Sequence, residues 1–247
     1  MIAEELRDYL VSTVPGRHVR EMCMGARYTA VVLDDGNVGL AFTYRESNTG
    51  AAPSLPAHRV PTGRSTSEVL PYLASDDGLE RTVGLAVANA LVNQKGGGYY
   101  EADLLHVLSI GFQDRVGMVG YFGPFVAPIE KRARELVIFE RNADRLPGVL
   151  SAEDAYNELP QCDVAIITST ALIFGGIDLL LEAAAGCREI ALVGPSTPLA
   201  PAVLGPHGVT LLSGVAVVDG PGILQLVGDG RCTSAFGDRV RKVNVRP

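Results

Sequence analysis

The rhythm of apolar and polar positions changes along this chain of 247 residues, and the two rhythms predict two kinds of architecture. Met1 to Leu10 sets apolar residues among charged ones, which predicts an amphipathic first helix. The apolar runs Val19 to Met24, Tyr28 to Leu33 and Val38 to Thr43 then read as short strands. They are joined around Gly25 and by Asp34-Asp35-Gly36-Asn37, and an Asp-Gly turn between apolar runs signals a hairpin because glycine accepts a positive φ. An antiparallel meander is therefore expected. A polar, Pro-rich stretch from Glu46 to Arg64 breaks the pattern and is long enough to serve a function. Ser65-Thr66-Ser67-Glu68 predicts a capped helix start. Leu79 to Val92 is almost continuous in Ala, Leu and Val, the pattern of a buried helix. Asn89 interrupts it, either to bridge backbone groups or to reach a ligand.

Gln94-Lys95-Gly96-Gly97-Gly98 cannot continue that helix at low cost, so the domain boundary is placed in the Gly96–Gly98 run. Beyond it, Val116 to Phe122, Val137 to Glu140, Val164 to Thr168, Ile190 to Val193 and Val209 to Leu212 read as buried strands with helical segments between most of them. The predicted organisation is a small α+β domain, residues 1–94, followed by an α/β domain, residues 95–247, with a Rossmann-like, doubly wound parallel sheet.

Composition removes several function classes. Hydrophobic residues make up 47% and charged residues 20%, which argues for a packed globular chain over a disordered one. A formal charge of -7 repels a phosphate backbone, and the densest basic run, Lys131 to Arg134, reads as the solvated face of a helix, so nucleic acid is not an expected partner. The apolar region around Ala171 to Gly186 contains Asp178 and Glu182 and is too short to span a bilayer. The charged start lacks a secretory pattern, and a cytoplasmic location is expected. Cys23, Cys162, Cys187 and Cys232 show no C-x-x-C spacing, and His18, His58, His106 and His207 are equally dispersed. Met22-Cys23-Met24 offers soft donors, but consecutive strand residues point to opposite faces, so core packing is expected there.

The densest chemical signal is Gly117-Met118-Val119-Gly120-Tyr121-Phe122-Gly123-Pro124, with Glu140 ending the next strand. Strand, glycine turn, helix, strand and terminal acid follow the order of a nucleotide fold, where helix-start amides receive an anion and the acid bonds ribose hydroxyls. The spacing is G-x-x-G-x-x-G, however, and Pro124 removes an amide donor, so the glycines also fit a tight turn with close packing. Thr168-Ser169-Thr170 and Gly194-Pro195-Ser196-Thr197-Pro198 fall at the ends of predicted parallel strands, as ligand groups or as helix caps. No catalytic residue and no metal-ligand set emerges from spacing alone.

Taken together, Val31 to Phe42, Val87-Ala88-Asn89-Ala90, Gly117 to Pro124, Ile166 to Asp178 and Val193 to Ser196 resemble the heavy-metal-chelation family, across nearly the whole chain. The resemblance implies an enolase-N-terminal-like domain, a Rossmann-like domain and a site in the cleft between them. It implies that Gly120, Tyr121, Phe122, Gly123, Glu140, Thr168, Thr170, Gly194, Pro195 and Ser196 lie on cleft-side motifs, with Asn89 approaching from the other domain. The family pattern T-G-x-x-x-N-G-T before the acid departs here, since Phe174 and Gly176 replace polar groups, which implies a more apolar cleft in a specialised, biosynthetic member. The expected ligand is a transition metal or a small metal-chelating molecule. The alternatives are a nucleotide or S-adenosylmethionine-like cofactor with Glu140 on the ribose, and a scaffold without chemistry. A homodimer through an apolar surface is a further expectation.

Overall fold

The computed structural model describes residues 1–45, 53–94 and 96–247; residues 46–52 of the long polar loop and Lys95 of the glycine-rich run lie outside them. Helix α1 (Ile2–Thr13) buries Ile2, Leu6 and Leu10, one stripe at every fourth position, as its pattern predicts. Strands β1 (Val19–Met24), β2 (Tyr28–Leu33) and β3 (Val38–Phe42) form an antiparallel sheet in chain order. Gly36 has a φ of +88° in the β2–β3 turn, where the Asp35 carboxylate accepts the Asn37 amide at 3.0 Å. Helix α2 (Thr66–Val69) starts at Ser65, whose amide and hydroxyl both donate to Glu68. The long helix α3 (Gly78–Val92) is capped by Asp77, which accepts the Leu79 amide at 2.8 Å.

The remaining elements are α4 (Leu104–Val107), β4 (Arg115–Val119), α5 (Gly123–Glu130), β5 (Glu135–Glu140), β6 (Leu150–Ser151), α6 (Ala155–Glu158), β7 (Val164–Thr168), α7 (Ala171–Phe174), α8 (Ile177–Ala183), β8 (Glu189–Val193), α9 (Pro201–Leu204), β9 (Leu211–Val217), α10 (Gly220–Gly228) and β10 (Val240–Val245). Their strands build a seven-stranded sheet in the order β10-β9-β8-β7-β4-β5-β6, parallel throughout except for β10 against β9. Without β10 this is the nucleotide-fold order, with the strand progression reversing between β4 and β7.

Three local readings are corrected. The first strand of this sheet ends at Val119 instead of Phe122, because Gly120 turns the chain with a φ of +93°. The basic run Lys131 to Arg134 lies in the turn after α5, not on the helix, which ends at Glu130. Strand β9 begins later and runs further than Val209 to Leu212, because it pairs along Leu212 to Val217 with β10.

Alternate residues of each central strand enter different cores, the period-two consequence of the pleat. Val116, Met118, Val164, Ile166, Ala191 and Val193 pack with Leu104 and Ile129, under α4 and α5. Ala165, Ile167, Ile190 and Leu192 face the other way and share a core with Leu6, Leu85, Ile173 and Leu180. Residues from both sides of the glycine-rich run therefore fill one core, and the small sheet is clasped between α3 and α10, whose Ile223 and Val227 pack on Ala30, Val32 and Leu40. The divided sulfur motif follows the same rule: Met22 and Met24 pack against one core and Cys23 against another.

This burial makes stability pH-dependent. Burial, followed by the neighbouring Cys162 and Asp163, pushes the Cys187 thiol up to about 12 from an ordinary value of 9.0. Burial also raises Tyr28. Both groups prefer the protonated form in the folded chain, so the unfolded chain loses its protons first as pH rises. Their contribution is intact below about pH 9 and is lost between pH 9 and 12 for Cys187. A melting temperature that starts to fall near pH 9, with a shallower fall in Cys187→Ala, is the expected profile; a flat profile across that window contradicts it.

Candidate functional site

Because the strand progression reverses between β4 and β7, the loops leaving these neighbours run to opposite sides of the sheet and open a crevice at its C-terminal edge. A cavity of about 690 Å³ occupies that place. Its walls include Gly120, Tyr121 and Phe122 after β4, Glu140 to Asn142 after β5, Glu153 and Tyr156 near α6, and Thr168, Thr170 and Phe174 after β7. Phe42 and Arg45 line it from the end of β3.

Gly120 fixes the innermost wall. Its amide donates to the Phe139 carbonyl at 2.8 Å, tying the turn to β5. A methyl group on Gly120 would lie 3.0 Å from both Cβ and Cγ2 of Thr168, so the positive φ and the close approach each call for glycine. Thr168 and Thr170 present their hydroxyls as a pair, with their Oγ1 atoms 3.0 Å apart. Gly123 begins α5 behind this turn and does not line the cavity.

Glu140 lies where the strand-end acid was expected, but its carboxylate closes the turn itself. One oxygen accepts the Tyr121 amide at 3.0 Å and the other accepts the Arg141 amide at 2.8 Å. The amide that a pyrophosphate would engage is therefore taken, and a negative charge sits beside it. About half of the carboxylate's four or so acceptor positions remain for other donors.

The other residues singled out by sequence hold the walls from behind. Among the described residues strand β3 pairs only with β2, so its second edge needs side-chain partners. The Asn89 side-chain amide donates to the Leu40 carbonyl, Ser196 Oγ accepts the Phe42 amide at 2.8 Å, and Thr82 Oγ1 donates to the Phe42 carbonyl at 3.2 Å. These groups satisfy the edge and set the position of Phe42 in the cavity wall. Ser169 is buried and shares a 2.7 Å hydrogen bond with Thr197, whose hydroxyl meets the Ser213 carbonyl at 3.0 Å. Gly194, with a φ of +120°, and Pro195 shape the turn that delivers Ser196 and do not line the cavity.

Phe174 was named in sequence, but the rings and cations gathered around it were not. Phe174 meets Tyr44 with ring centroids 5.2 Å apart and Phe42 at 6.2 Å. The Arg141 guanidinium carbon lies 3.9 Å from the Phe174 ring centroid, and Arg45 donates to the Ala26 carbonyl at 3.2 Å. Arg141 follows Glu140 directly, so carrying the strand-end argument one residue further would have found it. Glu153 and Tyr156 follow a strand of two residues that leaves no readable pattern.

Two family models, both described as "Putative heavy-metal chelation", match residues 7–92 and 103–246; the second is DUF364 and covers more than half of the chain. The chain belongs to the DUF364 family. It is similar to a solved protein of unknown function from this family in Desulfitobacterium hafniense, with a TM-score of 0.85 and 25% identity over 98% of each chain. A DUF364 structure from Pyrococcus horikoshii gives a TM-score of 0.83 at 21% identity over 100% of each chain, a likeness of fold. An uncharacterized protein of Methanocaldococcus jannaschii is 25% identical over 232 residues, 89% of this chain and 88% of that one.

The metal in the family description does not fit the side chains of this cavity. Its lining holds no His, Cys or Met among the described residues, and the acids there are Glu140 and Glu153. Among the described residues, no three His, Cys, Asp or Glu side chains gather where they could hold a metal ion. Thiophilic metals favour sulfur and imidazole donors, and here the walls supply hydroxyl, carboxylate, guanidinium and aromatic groups.

Proposed function

We propose that this chain binds a small organic molecule in the cavity between the ends of β4, β5 and β7 and the end of β3. Any metal connected with its role arrives as part of that molecule's complex. In this reading residues 1–94 and 95–247 act as two domains with the ligand between them, Phe42 and Arg45 facing the strand-end loops. The observation that carries the reading is the composition of one cavity: paired threonine hydroxyls, a stacked arginine and several rings, with no soft metal ligands among the described residues. A volume of about 690 Å³ suits a small organic ligand.

Amide chemical-shift mapping with a mixed set of small anionic and neutral fragments tests this reading. Shifts concentrated on Gly120 to Gly123, Arg141 and Thr168 to Phe174 are expected. Shifts scattered over the rest of the surface, with these residues silent, would remove it.

A second reading has one observation in its favour, the position of Glu140 at the end of β5 and on the cavity wall. Its remaining acceptor positions suit a ribose diol, while its bond to the Tyr121 amide disfavours a pyrophosphate beside it. A nucleoside ligand without that group, of the S-adenosylmethionine type, fits better than a dinucleotide. Calorimetry with S-adenosylmethionine and NAD on the unmodified chain and on Glu140→Gln separates the readings, and no heat from either cofactor sets this one aside.

A further inference from the structure

We propose that the molecule held in this cavity is a flat anion, an aromatic or heteroaromatic carboxylate, selected by Arg141 on the face of Phe174. The inference rests on the small-molecule reading and adds the class of ligand to it.

The charge argument begins with what each charged group already touches. Glu140 has both carboxylate oxygens turned to backbone amides. Arg141 is exposed, packs its guanidinium 3.9 Å from the centre of Phe174, and forms no ion pair with any described residue. Among the described lining residues the other acid is Glu153. The cavity therefore presents a positive group whose fork of N–H donors lacks an anionic partner among the described residues. A guanidinium laid against a ring keeps that fork for in-plane partners and loses little freedom when it engages a carboxylate through two parallel hydrogen bonds.

Shape comes from the rings. Tyr121 is 45% exposed and Tyr156 is 38% exposed, and neither has a ring partner among the described residues. Phe42 and Phe174 complete a wall of aromatic surface across the cavity, and aromatic groups favour stacked or edge-on neighbours. A planar ligand offers these rings a flat face to stack on. The paired hydroxyls of Thr168 and Thr170 then remain for polar substituents at the deep end, beside Gly120.

Isothermal calorimetry with matched probes tests the assignment. Benzoate and picolinate carry both features, benzamide keeps the ring without the charge, and cyclohexanecarboxylate keeps the charge without the flat ring. Loss of a charged hydrogen-bonded contact corresponds to a weakening of about tenfold to a hundredfold, so benzamide is expected to bind that much more weakly than benzoate. Arg141→Ala should erase the preference for benzoate over benzamide, with Arg141→Lys intermediate. Phe174→Leu should erase the preference for benzoate over cyclohexanecarboxylate. Circular dichroism checks that these variants fold, and Tyr121→Leu provides a second variant on the flat-ring half of the claim. Equal binding of benzoate and benzamide, or a preference that survives Arg141→Ala, overturns the inference and leaves the small-molecule reading standing. Failure of all four probes to bind also overturns it, and the amide mapping then decides separately whether the small-molecule reading stands.

Discussion

Gly39→Ala should destabilise the chain by about 3 kcal/mol, the upper part of the usual range for forcing extra volume into a packed core. Gly39 lies in β3 opposite Val31, where α3 crosses the sheet. A methyl group there would come within 2.0 Å of the Ala86 carbonyl oxygen and 2.2 Å of the Ala90 amide nitrogen. Both are backbone atoms of α3, so no rotamer change relieves the collision and the helix must move away from the strand. That movement opens the core built around Leu85, Val87 and Leu91. For a chain of this size the loss corresponds to a fall of about 6–12 °C in melting temperature. Gly16→Ala is the matched control, because nothing lies within 4 Å of that position, and its change should stay within about 0.5 kcal/mol. Thermal unfolding of both variants provides the comparison, and equal melting temperatures would show that α3 does not need this approach. The site should feel the change too, since Asn89 and Thr82 on α3 hold the edge that presents Phe42.

Gly120→Ala is expected to remove ligand binding at a smaller cost in stability. Its φ of +93° is strained for any residue with a side chain, by about 1–3 kcal/mol. The added methyl would also press on Thr168 at 3.0 Å, at the place where the turns after β4 and β7 meet. The least costly response is for the exposed turn to move, carrying Tyr121 and Phe122 with it and breaking the bond between the Tyr121 amide and Glu140. Thr168→Ser removes Cγ2 and keeps the hydroxyl. Added to Gly120→Ala, it should restore part of the lost binding, whereas independent effects of the two substitutions would show that the contact does not set the cavity's shape.

The parts of the fold that are legible in the sequence are those encoded locally. The Asp34 to Asn37 turn, the Ser65 cap and the continuous apolar run of Val164 to Ile167 each depend on neighbours a few residues away. Strand β10 was not legible, because Arg241 and Lys242 give an exposed edge the look of a polar tail and its pairing depends on β9. Helix α10 packs on the first sheet of the chain, nearly two hundred residues earlier, and no local pattern announces that choice. At the site, the glycine turn, Glu140, Thr168, Thr170 and the departure at Phe174 could all be read. For Asn89 the bridging of backbone groups was one of two open readings, while the part played by Ser196 could not be read, since a polar residue near a cleft looks the same in sequence whether it meets a ligand or the open edge of β3. Arg141 gained its significance only when folding placed Phe174 beneath it.

In the proposed reading this cavity holds an organic molecule, and the side chains alone do not hold a metal. Native mass spectrometry of the chain purified without chelators, run beside Gly120→Ala and combined with elemental analysis of the same samples, addresses it most directly. A non-covalent organic adduct is expected on the unmodified chain, absent from Gly120→Ala, with any metal present only in proportion to that adduct. A chain carrying stoichiometric metal and no organic molecule, equally in both proteins, would contradict it.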